Sequence, residues 1–293
     1  MAKGPLNDQQ LREYQTSGFV LARGFFDPEE ISLLSRAARE DRELDRHSFG
    51  AADGEGGTVR LSLWNYPGDT IYGMFARCES VVNSAEKLLG GEVYHYHSKM
   101  IMKDPKVGGA WTWHQDYGYW YQNFVLYPLL CSASIAVDPA TRENGCLQVV
   151  PGSHHLGRID HVLSGDQAGA DRERVGEILK RMDVVYVEME SGDTLFFDSN
   201  LLHRSDQNRS DQPRWSMICA YNAARNDPYR DCHQPRYNPL HKVPDAAIKA
   251  TGIRRFADAP TRFDWLEKKE DVAVRTLAEK YSEAASEPEA QPH

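Results

Sequence analysis

Trp113-His114-Gln115-Asp116-Tyr117 ends a β-prone run that begins at Trp111. Along an extended strand, residues i and i+2 share a face. The His114 imidazole and the Asp116 carboxylate are therefore expected on one side, with Gln115 on the other. From residue 92 onward the chain breaks into short β-rich segments at 92–103, 111–117, 130–137, 146–150, 184–189, 194–198 and 213–223, separated by Gly, Pro and Asp. So many short strands with turn residues between them predict a sandwich or jelly roll. The interior of such a fold is where a His–Asp pair on one strand face would converge.

Before residue 92 the pattern is helical. Residues 8–15 read as a short helix stopped near Gly18, and 19–23 as a strand. Asp27-Pro28-Glu29-Glu30 is a helix start, with an Asp cap, Pro in the first turn and acids at the positive end of the dipole. Ile31, Leu33, Leu34 and Ala38 then fall on one side. Residues 50–57, rich in Gly, Ala and Asp, read as a loop, and a helix is predicted over 71–89, ending at Gly90-Gly91. The polar segment 165–180 reads as a lid or an edge helix. Residues 282–293, rich in Ala, Glu, Ser and Pro, read as a disordered tail. That leaves one domain over 1–281, with its β core at about 92–225, and no internal repeat.

Composition narrows the function classes. A hydrophobic content of 41% and a charged content of 26% over 293 residues are ordinary for a soluble globular chain. A formal charge of −9 argues against nucleic acid as a partner, because phosphate binding needs a basic surface. No apolar run approaches the length of a membrane span, and the first residues lack a signal-peptide core. Cys78, Cys131, Cys146, Cys219 and Cys232 are odd in number and scattered, with no CxxC. They read as reduced thiols of a cytoplasmic protein.

Two later stretches give the His–Asp pair its context. Ser191-Gly192-Asp193 is a turn, Thr194 to Phe197 an apolar strand, and His203 lies beyond its end. Two imidazoles and one carboxylate can hold one face of Fe(II) and leave three positions open. Further on, a polar turn from Asn208 leads into an alternating strand that starts at Arg214, 11 residues after His203 (214 − 203 = 11). A guanidinium grips a carboxylate with two parallel hydrogen bonds, so Arg214 suits an oxo-acid co-substrate. Each piece alone has an ordinary reading: a surface His–Asp pair, a satisfied core histidine, a surface salt bridge.

Four stretches together resemble the phytanoyl-CoA dioxygenase (PhyH) family of Fe(II)/2-oxoglutarate-dependent oxygenases, which includes ectoine hydroxylase. They are Tyr14-Gln15-Thr16-Ser17-Gly18-Phe19-Val20, the Trp-His-Gln-Asp box, the run from Glu143 to His154 containing Asn144-Gly145-Cys146-Leu147-Gln148, and the block from Gly192 to Arg214. The resemblance spans residues 10–225. It implies a double-stranded β-helix (a cupin-like jelly roll) with helices outside it, and Fe(II), 2-oxoglutarate and O2 as metal and co-substrates. It implies His114, Asp116 and His203 as iron ligands, and Arg214 as the partner of the distal carboxylate of 2-oxoglutarate, helped by the Ser205 hydroxyl. It aligns the strand from His97 to Ile101 with one that lines the family's pocket, so Lys99 or His97 would touch co-substrate or substrate. Lys99 equally fits a snorkelling surface lysine. Trp120 falls where similar enzymes place an aromatic wall, and Tyr117 and Gln148 are further candidates for the pocket. Gly145, Pro151 and Gly152 read as turn residues.

The chemistry implied is oxidative decarboxylation of 2-oxoglutarate to succinate and CO2, coupled to hydroxylation of a C–H bond in a small metabolite. Related halogenases have a small residue at the position of Asp116, so its carboxylate favours hydroxylation. Metal binding should weaken in acid, because the ligands bind deprotonated. Trp111, Trp113, Tyr117, Tyr119, Trp120 and Tyr121 crowd the box, but alternating members must face opposite ways. His154, His155, Arg158 and His161 could meet an anionic substrate or be solvated. No basic cluster supports an acyl-CoA nucleotide, and Gln115 and Tyr117 depart from ectoine hydroxylase. Two other readings stay open: a jelly-roll module that binds a metal or ligand without turnover, and an oxygenase acting on a protein side chain. Substrate and oligomeric state are left open.

Overall fold

The computed structural model describes residues 4–53, 56–164, 167–253, 264–267 and 275–279. The tail expected at 282–293 lies outside them. The strands in chain order are β1 (Phe19–Ala22), β2 (Phe49–Ala52), β3 (Thr58–Trp64), β4 (Val93–Lys103), β5 (Trp111–His114), β6 (Leu130–Ala136), β7 (Leu147–Val149), β8 (His161–Ser164), β9 (Gln167–Ala170), β10 (Val185–Val187), β11 (Thr194–Asp198), β12 (His203–Ser205) and β13 (Arg214–Ala223). The helices are α1 (Asp8–Ser17), α2 (Pro28–Glu40), α3 (Arg42–Arg46), α4 (Ile71–Arg77), α5 (Glu79–Leu89), α6 (Asp116–Trp120), α7 (Arg172–Leu179) and α8 (Ala247–Gly252). Among the described residues, no helix is long and apolar enough to cross a membrane.

The strands build two antiparallel sheets. A seven-stranded sheet runs β1-β11-β6-β13-β4-β3-β2, and a four-stranded sheet runs β10-β7-β12-β5, with β8–β9 as a separate hairpin. This is the jelly roll the strand pattern predicted. The period of two sorts its side chains. On β4, Met100 and Met102 point to the helices while His97, Lys99, Ile101 and Lys103 line a cavity between the sheets. On β13, Met217 and Cys219 point outward and Arg214, Ser216 and Ile218 inward. The outer face packs on α2, α4 and α5 through Leu34, Phe75, Val81, Val82 and Ala85, all buried. Each large side chain buried there contributes about 1.5–3 kcal/mol, so the helical layer holds the big sheet rigid behind the cavity.

Local signals fix several element ends. Asn7 and Gln10 form a reciprocal capping box on α1, and Asp27 and Glu30 form another on α2. Gly18 ends α1 at φ 81°, where a Cβ would also collide with the His154 ring. Two expectations are corrected. The helix over 71–89 is two helices, because Cys78 turns to ψ 142° between α4 and α5 and the chain bends over the sheet. The loop expected at 50–57 starts as strand, since Phe49 to Ala52 pairs with Thr58 to Leu61.

Candidate metal and co-substrate site

β12 lies antiparallel to β5 with His203 opposite His114, so the two imidazoles stand side by side, ring centroids 4.0 Å apart. The strand predicted to reach 117 ends at His114; Asp116 is the first residue of α6. Gln115 remains extended, at φ −112° and ψ 135°, and this alone returns Asp116 to the side of His114, with Nε2 of His114 3.8 Å from its Oδ1. One ligand atom from each of His114, Asp116 and His203 lies within 4.8 Å of the other two, and all three residues are buried.

The surroundings prepare these groups for a cation. His114 donates its Nδ1–H to the Thr112 carbonyl at 2.8 Å, and His203 donates its own to the Leu201 carbonyl at 2.9 Å. Both Nε2 lone pairs are left for a metal, the outer-partner arrangement that orients ligating histidines. Burial, and then the facing His203, hold His114 well below the usual imidazole range, and burial lowers His203. Burial pushes Asp116 up, but Lys99 and the two histidines outweigh it and hold the carboxyl down to about 2, with the Ser132 hydroxyl donating to it at 3.0 Å. Neutral imidazoles beside an ionised carboxylate fit a divalent iron.

Gln115 faces away, as its alternation required. Its side-chain amide donates to the carbonyls of Gly157 and Asn200 and accepts from the Ile159 N–H, and its backbone N–H donates to Nε2 of His161. His161 is therefore buried behind the box, and a Cβ on Gly118 would overlap its ring. It meets no substrate there.

At the other end of the cavity Arg214 pairs across the sheet with Lys103. Both are buried, Lys103 completely. Arg214 donates to the Gly145 carbonyl at 2.8 Å and to the Ser216 hydroxyl at 3.4 Å. Lys103 donates to Oγ of Ser205 at 2.9 Å and to the Asp206 carbonyl. Gly145 is needed for this: it sits at φ 80°, where a Cβ would overlap the Asp206 carbonyl oxygen. Burial, and next the Arg214 charge, drive the Lys103 ammonium well below its ordinary range, and burial lowers Arg214 to about 10. A buried guanidinium beside a buried lysine amine that a carboxylate would recharge forms a seat for a carboxylate. Lys103 was missed by the sequence reading, which chose Lys99. Lys99 lies at the metal end of the cavity, its Nζ 4.0 Å from Oδ1 of Asp116.

The remaining candidates divide. His97 and Trp120 line the cavity, with Trp111 and Tyr119. Tyr117 and Gln148 do not. The ring of Tyr117 packs with Tyr94, Tyr96 and Val125, and its hydroxyl donates to the Leu126 carbonyl. Gln148 sits on the outer face of β7 and donates to the Asp206 carboxylate. Trp113 and Tyr121 turn out under Arg204 and Arg158. Within 165–180 the described residues contribute no wall: α7 packs as an edge helix, through Val175, on Val150, Ile159 and Leu202. The roof comes from Asn123, His233, Gln234 and Leu266.

Neutral imidazoles and one carboxylate facing a buried guanidinium across one cavity are what a non-haem iron oxygenase with an oxo-acid co-substrate requires, and this scaffold answers to that class. The particular family follows from comparison. Residues 14–216 match the model for phytanoyl-CoA dioxygenase (PhyH), and the chain belongs to that family. It is 28% identical to L-proline trans-4-hydroxylase of Streptomyces griseoviridis over 247 residues, 79% of this chain and 91% of the relative. It is 29% identical to ectoine dioxygenase of Halomonas elongata over 272 residues, 86% of this chain and 81% of the relative. Its fold is similar to that of EctD from S. alaskensis with bound Fe, at TM-score 0.66 and 22% identity, covering 84% of this chain and 90% of the other.

Proposed function

We propose that the chain is an Fe(II)/2-oxoglutarate-dependent hydroxylase acting on a C–H bond of a small metabolite in the cytoplasm. Its relatives include enzymes named for proline and ectoine, both compact molecules. The observation that carries the reading is the pairing of one buried donor set with the buried Arg214–Lys103 pair inside a single cavity. His114, Asp116 and His203 would hold the iron. Iron there, with dioxygen and 2-oxoglutarate, supplies the oxidation: the oxo acid leaves as succinate and CO2, and the substrate C–H becomes C–OH.

The protein's own residues position and shield. Arg214 and Lys103 receive the distal carboxylate of 2-oxoglutarate, with Ser205 accepting from Lys103 and turning it toward that seat. Lys99 serves a carboxylate nearer the metal. Trp111, Tyr119 and Trp120 keep water from the reacting carbon. The cavity measures about 160 Å³, which suits a metabolite better than an acyl-CoA or a protein side chain presented on a surface. The net charge of −9 and the five scattered cysteines with no CxxC favour a cytoplasmic enzyme that leaves nucleic acid alone.

The test is a metabolite panel with Fe(II) and 2-oxoglutarate, following succinate and a product heavier by one oxygen atom. Substrate-dependent succinate with that product is expected. Binding of metal and 2-oxoglutarate without succinate from any panel member would favour a non-catalytic binding module instead.

A further inference from the structure

Beyond the metal ligands, the inward row of β4 continues from Lys99 to His97, and there the cavity has a feature of its own. Nδ1 of His97 lies 3.2 Å from Oε1 of Gln234, and Nε2 of Gln234 lies 3.1 Å from Nε2 of His233. An amide oxygen only accepts, so Nδ1 of His97 carries the proton; an amide nitrogen only donates, so the His233 nitrogen accepts. The relay thus sets the tautomer and leaves Nε2 of His97 as a lone-pair acceptor. That atom is buried and has no partner among the described residues, while the residue lines the cavity beside the edge of Trp120, ring centroids 5.7 Å apart. Burial, then the Lys99 charge, hold the ring's basicity to about 3, so it stays neutral in ordinary buffers.

The segment carrying the relay is fixed in place. Arg236 bridges Asp227 and Asp231, Asn65 donates to the His233 carbonyl, and the Cys232 thiol faces the Asn123 carbonyl. Two residues along β4, on the same face, Lys99 adds a cation. An acceptor next to a cation is the complement of an N–H donor next to a carboxylate. We infer that His97 and Lys99 read the head of an amino or imino acid, His97 taking the amine N–H and Lys99 the carboxylate. Resting on the hydroxylase reading above, this names the substrate class and makes His233 and Gln234 positioning residues for His97.

The test uses the full chain with Co(II) and 2-oxoglutarate, whose binding is measured first by calorimetry. The twenty protein amino acids, L-pipecolate and ectoine are then titrated, with the ring-oxygen analogue tetrahydrofuran-2-carboxylate set against L-proline, and Trp fluorescence as readout. At least one N–H-bearing acid should bind, and its donorless analogue should bind about tenfold more weakly or worse. His97→Leu should erase that preference, and His97→Gln should restore part of it. Nitrogen NMR of the His97 ring should show Nδ1 protonated and Nε2 bare, and Gln234→Leu should mix the tautomers. Equal binding of donor and donorless ligands, or a protonated Nε2, overturns the inference. So does failure of every amino acid to bind while 2-oxoglutarate binds normally, with the hydroxylase reading intact. Loss of 2-oxoglutarate binding itself would strike that reading instead.

Discussion

The two ends of the cavity are built from opposite materials. The metal end presents lone pairs: two imidazole nitrogens whose other nitrogens are spent on the Thr112 and Leu201 carbonyls, and a carboxylate held ionised. The anchor end presents protons: the Arg214 guanidinium and the Lys103 amine, cross-strand neighbours on β13 and β4. Each end concentrates charge or polarity that is costly to bury without a partner, and each calls for a partner of the other kind. In the function proposed above, a single oxo acid would serve both, its distal carboxylate meeting Arg214 and Lys103 and its other end reaching toward the metal. The separation also divides labour between elements, since β5, α6 and β12 set the donors while β4 and β13 carry Lys103 and Arg214.

The sharpest way to break this division is to remove one donor. Asp116→Ala should lower metal affinity more than about 100-fold, since even outer partners of ligating residues are worth about 10–100-fold, and turnover should fall to background. Metal stoichiometry by elemental analysis, with succinate release, checks both. Arg214→Ala is the matching cut at the other end. It should weaken 2-oxoglutarate by about 100-fold, the usual scale for losing a buried charged partner, and leave metal stoichiometry at one. Equal damage to both ligands from either substitution would dissolve the distinction.

How far the sequence revealed this division depends on the element. The metal end was legible because its signal is local: His114 and Asp116 are two apart on an extended segment, and His203 lies just beyond a predicted strand. Even there the helical start at Asp116 was hidden, since α6 begins without a side-chain cap. The anchor end was half legible. Arg214 opens a strand after a polar turn and stood out. Lys103 did not, because Lys99 and Lys103 lie on the same inward row of β4, and only the register of β4 against β13 says which one faces Arg214. Pairing register between strands far apart in the chain is not written in either strand. The relay from Gln234 to His97 was illegible for the same reason, as it joins residues 137 positions apart. The break at Cys78 carries no Pro or Gly to announce it.

Lys103 offers a finer cut between the ends. Its amine is driven well below the ordinary lysine range by burial and then by Arg214; Arg204 opposes its charge too, and Asp53 and Cys146 favour it. The sign follows directly. Above the depressed value the free protein holds Lys103 neutral, and a carboxylate favours the ammonium. Binding of 2-oxoglutarate should therefore take up a proton, and affinity should fall as pH rises. Calorimetry in phosphate and in Tris should give different apparent enthalpies, and the same comparison on Lys103→Met should not. That variant should bind 2-oxoglutarate about tenfold more weakly, yet unfold about 1 kcal/mol less readily without ligand, because it ends the cost of burying an amine that is charged in the unfolded chain. Loss of both stability and affinity would mean that Lys103 is a structural tie to Ser205 and Asp206.

Tyr117 gives the smallest effect and tests where the metal end stops. It follows Asp116 directly in sequence, but its ring is packed among Tyr94, Tyr96 and Val125, and its hydroxyl donates to the Leu126 carbonyl. Tyr117→Phe keeps the ring and deletes one hydrogen bond, so stability should drop by about 1 kcal/mol. The affinities for metal and 2-oxoglutarate should stay within error of the parent, because no atom of Tyr117 reaches the cavity wall. Thermal unfolding and the two titrations separate the cases. A changed metal affinity with unchanged stability would mean that α6 transmits its packing to Asp116, which would extend the metal end from three side chains to the whole turn that carries them.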